Sequence, residues 1–249
     1  MTTPPVAPLP VHGTVPLRAR WEQWMQELVE NPQDVSALTS RYGSPVNVLN
    51  PAPLRHNAQE LLDAGASHDV KTRVFFARKA NKALCFVDAA RESGLGVDVA
   101  SENELRQVLE RDVAPERIIL SAAIKSDGLL RLAISRGVTI SCDSRAECGR
   151  IAAIARALET TARVAPRLAP DPDALPPTRF GERLPAWQKA EWPAELRAVG
   201  VHVHLHGYSE ADRRTALAEA IALVEHLRAK NQPANSVSYT HLRAHETRH

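Results

Sequence analysis

An α/β fold of repeated βα units with a parallel sheet is predicted by three features of this sequence. Short β-type runs recur at residues 74–77, 97–100, 118–121, 138–142, 163–168 and 201–205. Helical patterns with apolar residues at three- and four-residue spacing lie between most of them, at a period of roughly twenty to twenty-five residues. The junctions repeat one piece of helix-start chemistry. Ser101 with Glu104 and Ser144 with Glu147 are Ser-x-x-Glu capping boxes, and Ser209 with Asp212 is a near match.

The elements follow in order. Residues 1–17 are Pro-rich and are expected to be a disordered leader, without the basic patch and apolar core of a signal peptide. Residues 18–52 are expected to hold N-terminal helices and a strand. Trp21, Trp24, Met25, Leu28 and Val29 fall at helical spacing, which reads as core packing. A second helix ends near Gly43, a strand is predicted at 45–49, and a helix at 53–64. Residues 53–235 carry the βα units. Within them, 166–193 holds seven prolines and little periodicity, and a loop of that length in a compact domain is either functional or disordered. Helical periodicity stops near Gln232. Residues 236–249 then depart in composition and resemble a translated cloning or sequencing adapter. They are expected to be foreign, which removes His241, His245 and His249 from consideration as site residues.

Composition narrows the function. The chain has 249 residues, is 44% hydrophobic and has a net charge of +2. It has no basic cluster with aromatic interleaving for nucleic acid and no apolar run of membrane-spanning length. Cys85, Cys142 and Cys148 are odd in number and lack metal-site spacing. They read as buried small hydrophobes in a reducing, cytoplasmic setting.

In a βα barrel, reactive groups gather at the C-terminal ends of the strands. Those ends hold Lys79, Asp98, Ser121 with nearby Lys125, Asp143, Arg167, and the set His202, His204 and His206. Lys79 is either a solvated lysine opening a helix, where the dipole disfavours a cation, or an amine made nucleophilic by desolvation. Asp98 reads equally as a helix-terminus acid or as a carboxylate serving that amine. Period two puts the three histidines on one face of their strand and Val201, Val203 and Leu205 on the other. Such histidines are satisfied by polar neighbours, hold a divalent metal in a barrel hydrolase, or serve a cofactor.

Phe75-Phe76-Ala77-Arg78-Lys79-Ala80-Asn81-Lys82, followed by Gly96-Val97-Asp98-Val99-Ala100-Ser101, resembles the signature of the pyridoxal-phosphate decarboxylases of the alanine-racemase-like barrel, the family of diaminopimelate and ornithine decarboxylases. Tyr42-Gly43-Ser44-Pro45 resembles that family's entry segment, and Thr178-Arg179-Phe180-Gly181 its Lys/Arg-Phe-Gly element. The resemblance implies a (β/α)8 TIM-type barrel with pyridoxal 5'-phosphate held by Lys79 as a Schiff base. It further implies Asp98 behind the cofactor ring, His204 stacked on that ring, Arg167 near ring or substrate, and Ser209 toward the phosphate. Here His206 stands before Gly207, and Tyr208 separates Gly207 from Ser209, which departs from the family's His-x-His-x-Gly-Ser strand.

The resemblance spans roughly residues 35–232. The family's Gly-Gly-Gly turn, its Glu-Pro-Gly-Arg element and its C-terminal β domain do not follow. The expectation is therefore about six of eight barrel strands, a fragment inactive as written, and a homodimer in the full-length form. The activity implied is decarboxylation of a small amino acid. A racemase and a non-enzymatic pyridoxal-phosphate carrier are the alternatives on the same fold.

Overall fold

The computed structural model describes residues 21–205 and 209–241. The chain divides into two units, residues 1–50 and 51–249. In the first, α1 (Gln23–Glu30) packs against α2 (Pro32–Tyr42). Pro32 opens α2, and Gly43, at φ 85°, ends it. The apolar stripe expected to be core is not enclosed: α1 buries none of its residues, and Trp21 and Val29 are more than 60% exposed. Two such short helices have too little surface to enclose a stripe. The strand expected at 45–49 is also absent. These residues have no sheet partner and follow a cis Ser44–Pro45 bond.

The second unit opens with α3 (Ala52–Ala66) and then alternates: β1 (Phe75–Ala77), α4 (Leu84–Glu92), β2 (Gly96–Val99), α5 (Glu102–Leu109), β3 (Ile118–Leu120), α6 (Asp127–Ser135), β4 (Thr139–Cys142), α7 (Arg145–Ala157) and β5 (Ala162–Leu168). After α8 (Leu184–Gln188) come β6 (Leu196–Ala198), β7 (Val201–Leu205), α9 (Glu210–Ala229) and β8 (Val237–His241). Every pairing is parallel, in the order β1-β2-β3-β4-β5-β7-β8, with β6 beside β5.

All six predicted barrel strands form. Two more were not foreseen. β6 pairs with the first half of β5 and β7 with the second, so the two make one bent course interrupted at Val199 and Gly200. β8 pairs with β7 over five residues and lies in the segment expected to be foreign. Among the described residues β1 and β8 do not pair, so the barrel is open. The predicted helix at 53–64 is α3, longer by a few residues.

The central strands are covered on both faces, so Asp98, Thr139 and Ser141 are buried along with their apolar neighbours. Val97, Val99, Ile118, Leu120, Ile140 and Val164 are fully buried, under Leu105, Val108, Leu130, Ile151 and Leu223 from the helices. Gly96 is a steric requirement of this layer: a Cβ there would stand 2.2 Å from the ring of Phe75. Cys142 and Cys148 are buried as expected, whereas Cys85 is exposed on the surface of α4. No described helix is long and apolar enough to cross a membrane.

Candidate active site

Lys79 lies in the turn just after β1, half-buried. Helix α4 begins only at Leu84, so Lys79 does not open a helix, and the unfavourable dipole considered above does not bear on it. Two side chains shape this turn. The Arg78 guanidinium, 1% exposed, donates through Nη2 to the Lys82 carbonyl at 2.8 Å and to Gln107 Oε1 at 2.9 Å. Asn81 Oδ1 accepts from the Ala83 amide at 2.9 Å, the local side-chain-to-backbone bond that lets Asn shape turns.

Asp98 stands on the neighbouring strand, opposite Ala77 and 8% exposed. Burial raises its pKa to about 6, against the hydroxyl of Ser121 and the charges of Lys79 and Arg167, which favour the carboxylate. Its Oδ1 is buried without a hydrogen-bond partner.

Arg167, 2% exposed on β5, is held on three sides. Nε donates to Ser141 Oγ at 3.1 Å, Nη1 to Asp143 Oδ2 at 3.0 Å, and Nη2 to the Ser121 carbonyl at 2.5 Å. Its own carbonyl accepts from Trp187 Nε1 at 2.8 Å and from the Glu182 amide at 3.1 Å. Asp143 is shared: Lys125 Nζ lies 3.7 Å from Oδ1. Burial raises the Asp143 pKa although Arg167 and Lys125 both oppose it.

His202 and His204 are buried on β7. Burial, with Arg167, His204, Lys79 and Lys125 as like charges, holds His202 far below the ordinary imidazole range, so it is neutral near pH 7. Every residue of β7 is buried, so burial does not by itself separate the histidine face from the Val201, Val203 and Leu205 face. His204 meets Phe180 edge to face, with centroids 4.9 Å apart and planes at 65°. Among the described residues no three His, Cys, Asp or Glu side chains are grouped to hold a metal. His206, Gly207 and Tyr208 lie outside the described residues. Ser209 caps α9, its hydroxyl accepting from the Asp212 amide at 3.0 Å.

Lys79 and Arg167 thus both act on Asp98 and on His202, and His204 lies two residues along β7 from His202. Sequence reasoning missed three participants. Ser141 supports Arg167 from β4. Arg78 holds the turn of Lys79. Phe180 reaches His204 from the proline-rich loop. Of these Arg78 and Phe180 stood in quoted motifs, each without a role.

The family model described as "Pyridoxal-dependent decarboxylase, pyridoxal binding domain" matches residues 55–242. The chain is 32% identical over 122 residues to the diaminopimelate decarboxylase of Methanothermobacter thermautotrophicus, covering 49% of this chain and 28% of that protein. With the Zymomonas mobilis diaminopimelate decarboxylase it is 29% identical over 184 residues, covering 68% and 44%. The uncharacterized protein y4yA of Sinorhizobium fredii is 28% identical over 193 residues, covering 76% and 42%. The chain therefore spans less than half the length of these relatives. Among solved structures, diaminopimelate decarboxylase from M. jannaschii matches with a TM-score of 0.72 at 20% identity, over 86% of this chain and 55% of that one. A mutant SrLDC in complex with PLP matches at 0.69 and 23%, over 83% and 54%. These establish the fold as that of the barrel. With 188 of its residues matched to the pyridoxal binding domain, this chain belongs to the pyridoxal-dependent decarboxylase family.

Proposed function

We propose that the chain is the barrel portion of a pyridoxal-phosphate-dependent amino-acid decarboxylase with Lys79 as the cofactor lysine. The observation that carries this reading is the half-buried Lys79 just after β1 and, on the neighbouring strand, the Asp98 carboxylate whose Oδ1 is buried without a hydrogen-bond partner. A buried acceptor of that kind costs stability unless a ligand completes it, so the residues fit an aromatic cofactor carrying a protonated nitrogen or hydroxyl.

When bound, pyridoxal phosphate supplies the sink for the electron pair released as the substrate's α-carboxylate leaves. The chain's own residues position and shield. Lys79 Nζ provides the amine for covalent attachment. Asp98, with a pKa of about 6, is mostly ionised near pH 7 and balances Lys79 and Arg167. Arg167, fixed by Ser141, Asp143 and Ser121, is a preorganised cation that does not reorient as charge moves. The His204 ring offers a flat face for the cofactor, and the Ser209 hydroxyl can donate to its phosphate.

The substrate we infer is an amino acid with a second basic group, since relatives of this fold are described in complex with L-lysine. The expected setting is the cytoplasm, consistent with free thiols at Cys142 and Cys148 only 2.8 Å apart. The expected assembly is a homodimer.

The test is chemical trapping. Incubation with pyridoxal phosphate, reduction with borohydride and peptide mapping should place the label on Lys79. A label on Lys82 or Lys125 would overturn the assignment.

A further inference from the structure

We propose that Phe180 is a positioning residue: it fixes the ring plane of His204 and thereby the surface on which a cofactor ring rests. This inference depends on the reading in which His204 lies against pyridoxal phosphate.

The proline-rich loop delivers Phe180 to a closely defined place. Its amide donates to Thr178 Oγ1 at 3.2 Å. The next residue, Gly181, has φ 81°, and a Cβ there would stand 2.2 Å from the Arg167 carbonyl oxygen, so any other side chain would push the loop off the barrel. Glu182 then bonds back to β5 in both directions. Its amide donates to the Arg167 carbonyl at 3.1 Å, and its carbonyl accepts from the Ala169 amide at 2.9 Å. Its carboxylate accepts from the Arg145 amide at 3.0 Å and from Arg145 Nε at 2.9 Å. The loop is therefore fastened to the end of β5 and to the first residue of α7, immediately beside the phenyl ring.

Three groups surround that ring. The guanidinium carbon of Arg167 lies 5.3 Å from its centroid and that of Arg179 4.9 Å away, both within cation–π range. The imidazole of His204 meets it at 65°, the edge-to-face arrangement aromatic quadrupoles favour. The terminal torsion of an imidazole is broad and roughly two-fold. The Phe180 contact narrows it, and through the same ring it couples His204 to Arg167.

The test is a double-mutant cycle on the cofactor-loaded chain. Pyridoxal-phosphate affinity is measured by absorbance titration for wild type, Phe180→Leu, Phe180→Tyr, His204→Ala and the Phe180→Leu/His204→Ala pair. An edge-to-face contact corresponds to about a fivefold effect. Phe180→Leu should weaken binding by about that factor. Phe180→Tyr should restore it, and the double variant should bind no worse than His204→Ala alone. Losses that multiply, with the label still on Lys79, would overturn the positioning role and leave the cofactor reading intact. No label on Lys79 in the unsubstituted chain would overturn the cofactor reading and this inference with it. A measurement without cofactor checks the geometry directly. The His204 Cε1–H resonance should move in Phe180→Leu through loss of the ring current, and an unmoved resonance would overturn the contact.

Discussion

Asp98 illustrates the conflict between stability and chemistry at a single residue. Its carboxyl is 8% exposed on the second strand of the barrel, and burial lifts its pKa from 3.8 to about 6. Between those values the folded chain binds a proton at Asp98 that the unfolded chain has lost. Stability is therefore full below pH 4 and falls as pH rises through 6. About two pKa units correspond to about 3 kcal/mol. Asp98→Asn mimics the protonated form. We predict that, without cofactor, it matches wild type near pH 4 and is more stable by up to about 3 kcal/mol at pH 8, read from urea midpoints. A wild type more stable than Asp98→Asn at pH 8 would show that Lys79 and Arg167 outweigh burial. At this scale the sequence was informative where chemistry and position coincide. Lys79, Asp98 and Arg167 are charged residues at the ends of apolar runs, which is conspicuous in one dimension. Ser141, and the role of Phe180 within its Arg-Phe-Gly element, were illegible because a serine in a strand and a phenylalanine in a loop do not tell what they touch until the fold is known.

Two βα junctions share one device. Ser101 caps α5 and Ser144 caps α7, each accepting the amide of the glutamate three residues on. Each glutamate also takes the backbone amide just before its cap, Ala100 at 2.9 Å and Asp143 at 2.8 Å. Each then pairs with a lysine 22 residues upstream. Lys82 bonds Glu104, and Lys125 bonds Glu147 at 2.9 and 3.1 Å. The caps were legible because a capping box is local. The lysine partners were not, since they arrive from a neighbouring strand through sheet register. The two copies differ in burial, with the Lys82 side chain 61% exposed and that of Lys125 fully enclosed. The glutamates are equally buried, 9% and 10% exposed, so the copies differ in the lysine. A pair with a solvated partner contributes about 1 kcal/mol or less, whereas removing one partner of a fully buried pair costs about 3–5 kcal/mol. Lys82→Met should therefore change the unfolding free energy by less than about 1 kcal/mol, and Lys125→Met should lower it by about 3 kcal/mol or more. Equal losses in urea denaturation would mean that the shared geometry, not burial, sets the strength. The unformed strand at 45–49 marks the opposite limit. Its Val and Leu have strand character, but a strand exists only where a partner lies alongside.

Over the whole barrel, legibility follows how side chains are used. Each residue of β2 and β4 is buried, and their Val97, Val99 and Ile140 mark them as strands in the sequence. β8 is different. None of Val237, Ser238 and Tyr239 is buried, and Tyr239 is 41% exposed, although β8 pairs with β7 over five residues. Parallel pairing uses backbone groups that every sequence possesses, and the free edge of β7 is a template for an extended segment. A strand can thus form with little burial, Val237 alone of these three packing against the core, which is consistent with our proposal that residues 236–249 are foreign, although the family match extends to 242. Hydrogen exchange separates the possibilities. Amides in a well-packed centre open only with global unfolding, whereas an edge held by backbone bonds alone opens locally. Segments 97–99, 118–120 and 139–142 should exchange most slowly. Segment 237–241 should exchange at least about 100-fold faster, the ratio for an opening cost lower by about 3 kcal/mol. Protection of 237–241 equal to that of 139–142 would show side chains fitted to the barrel and would overturn the reading of this segment as foreign.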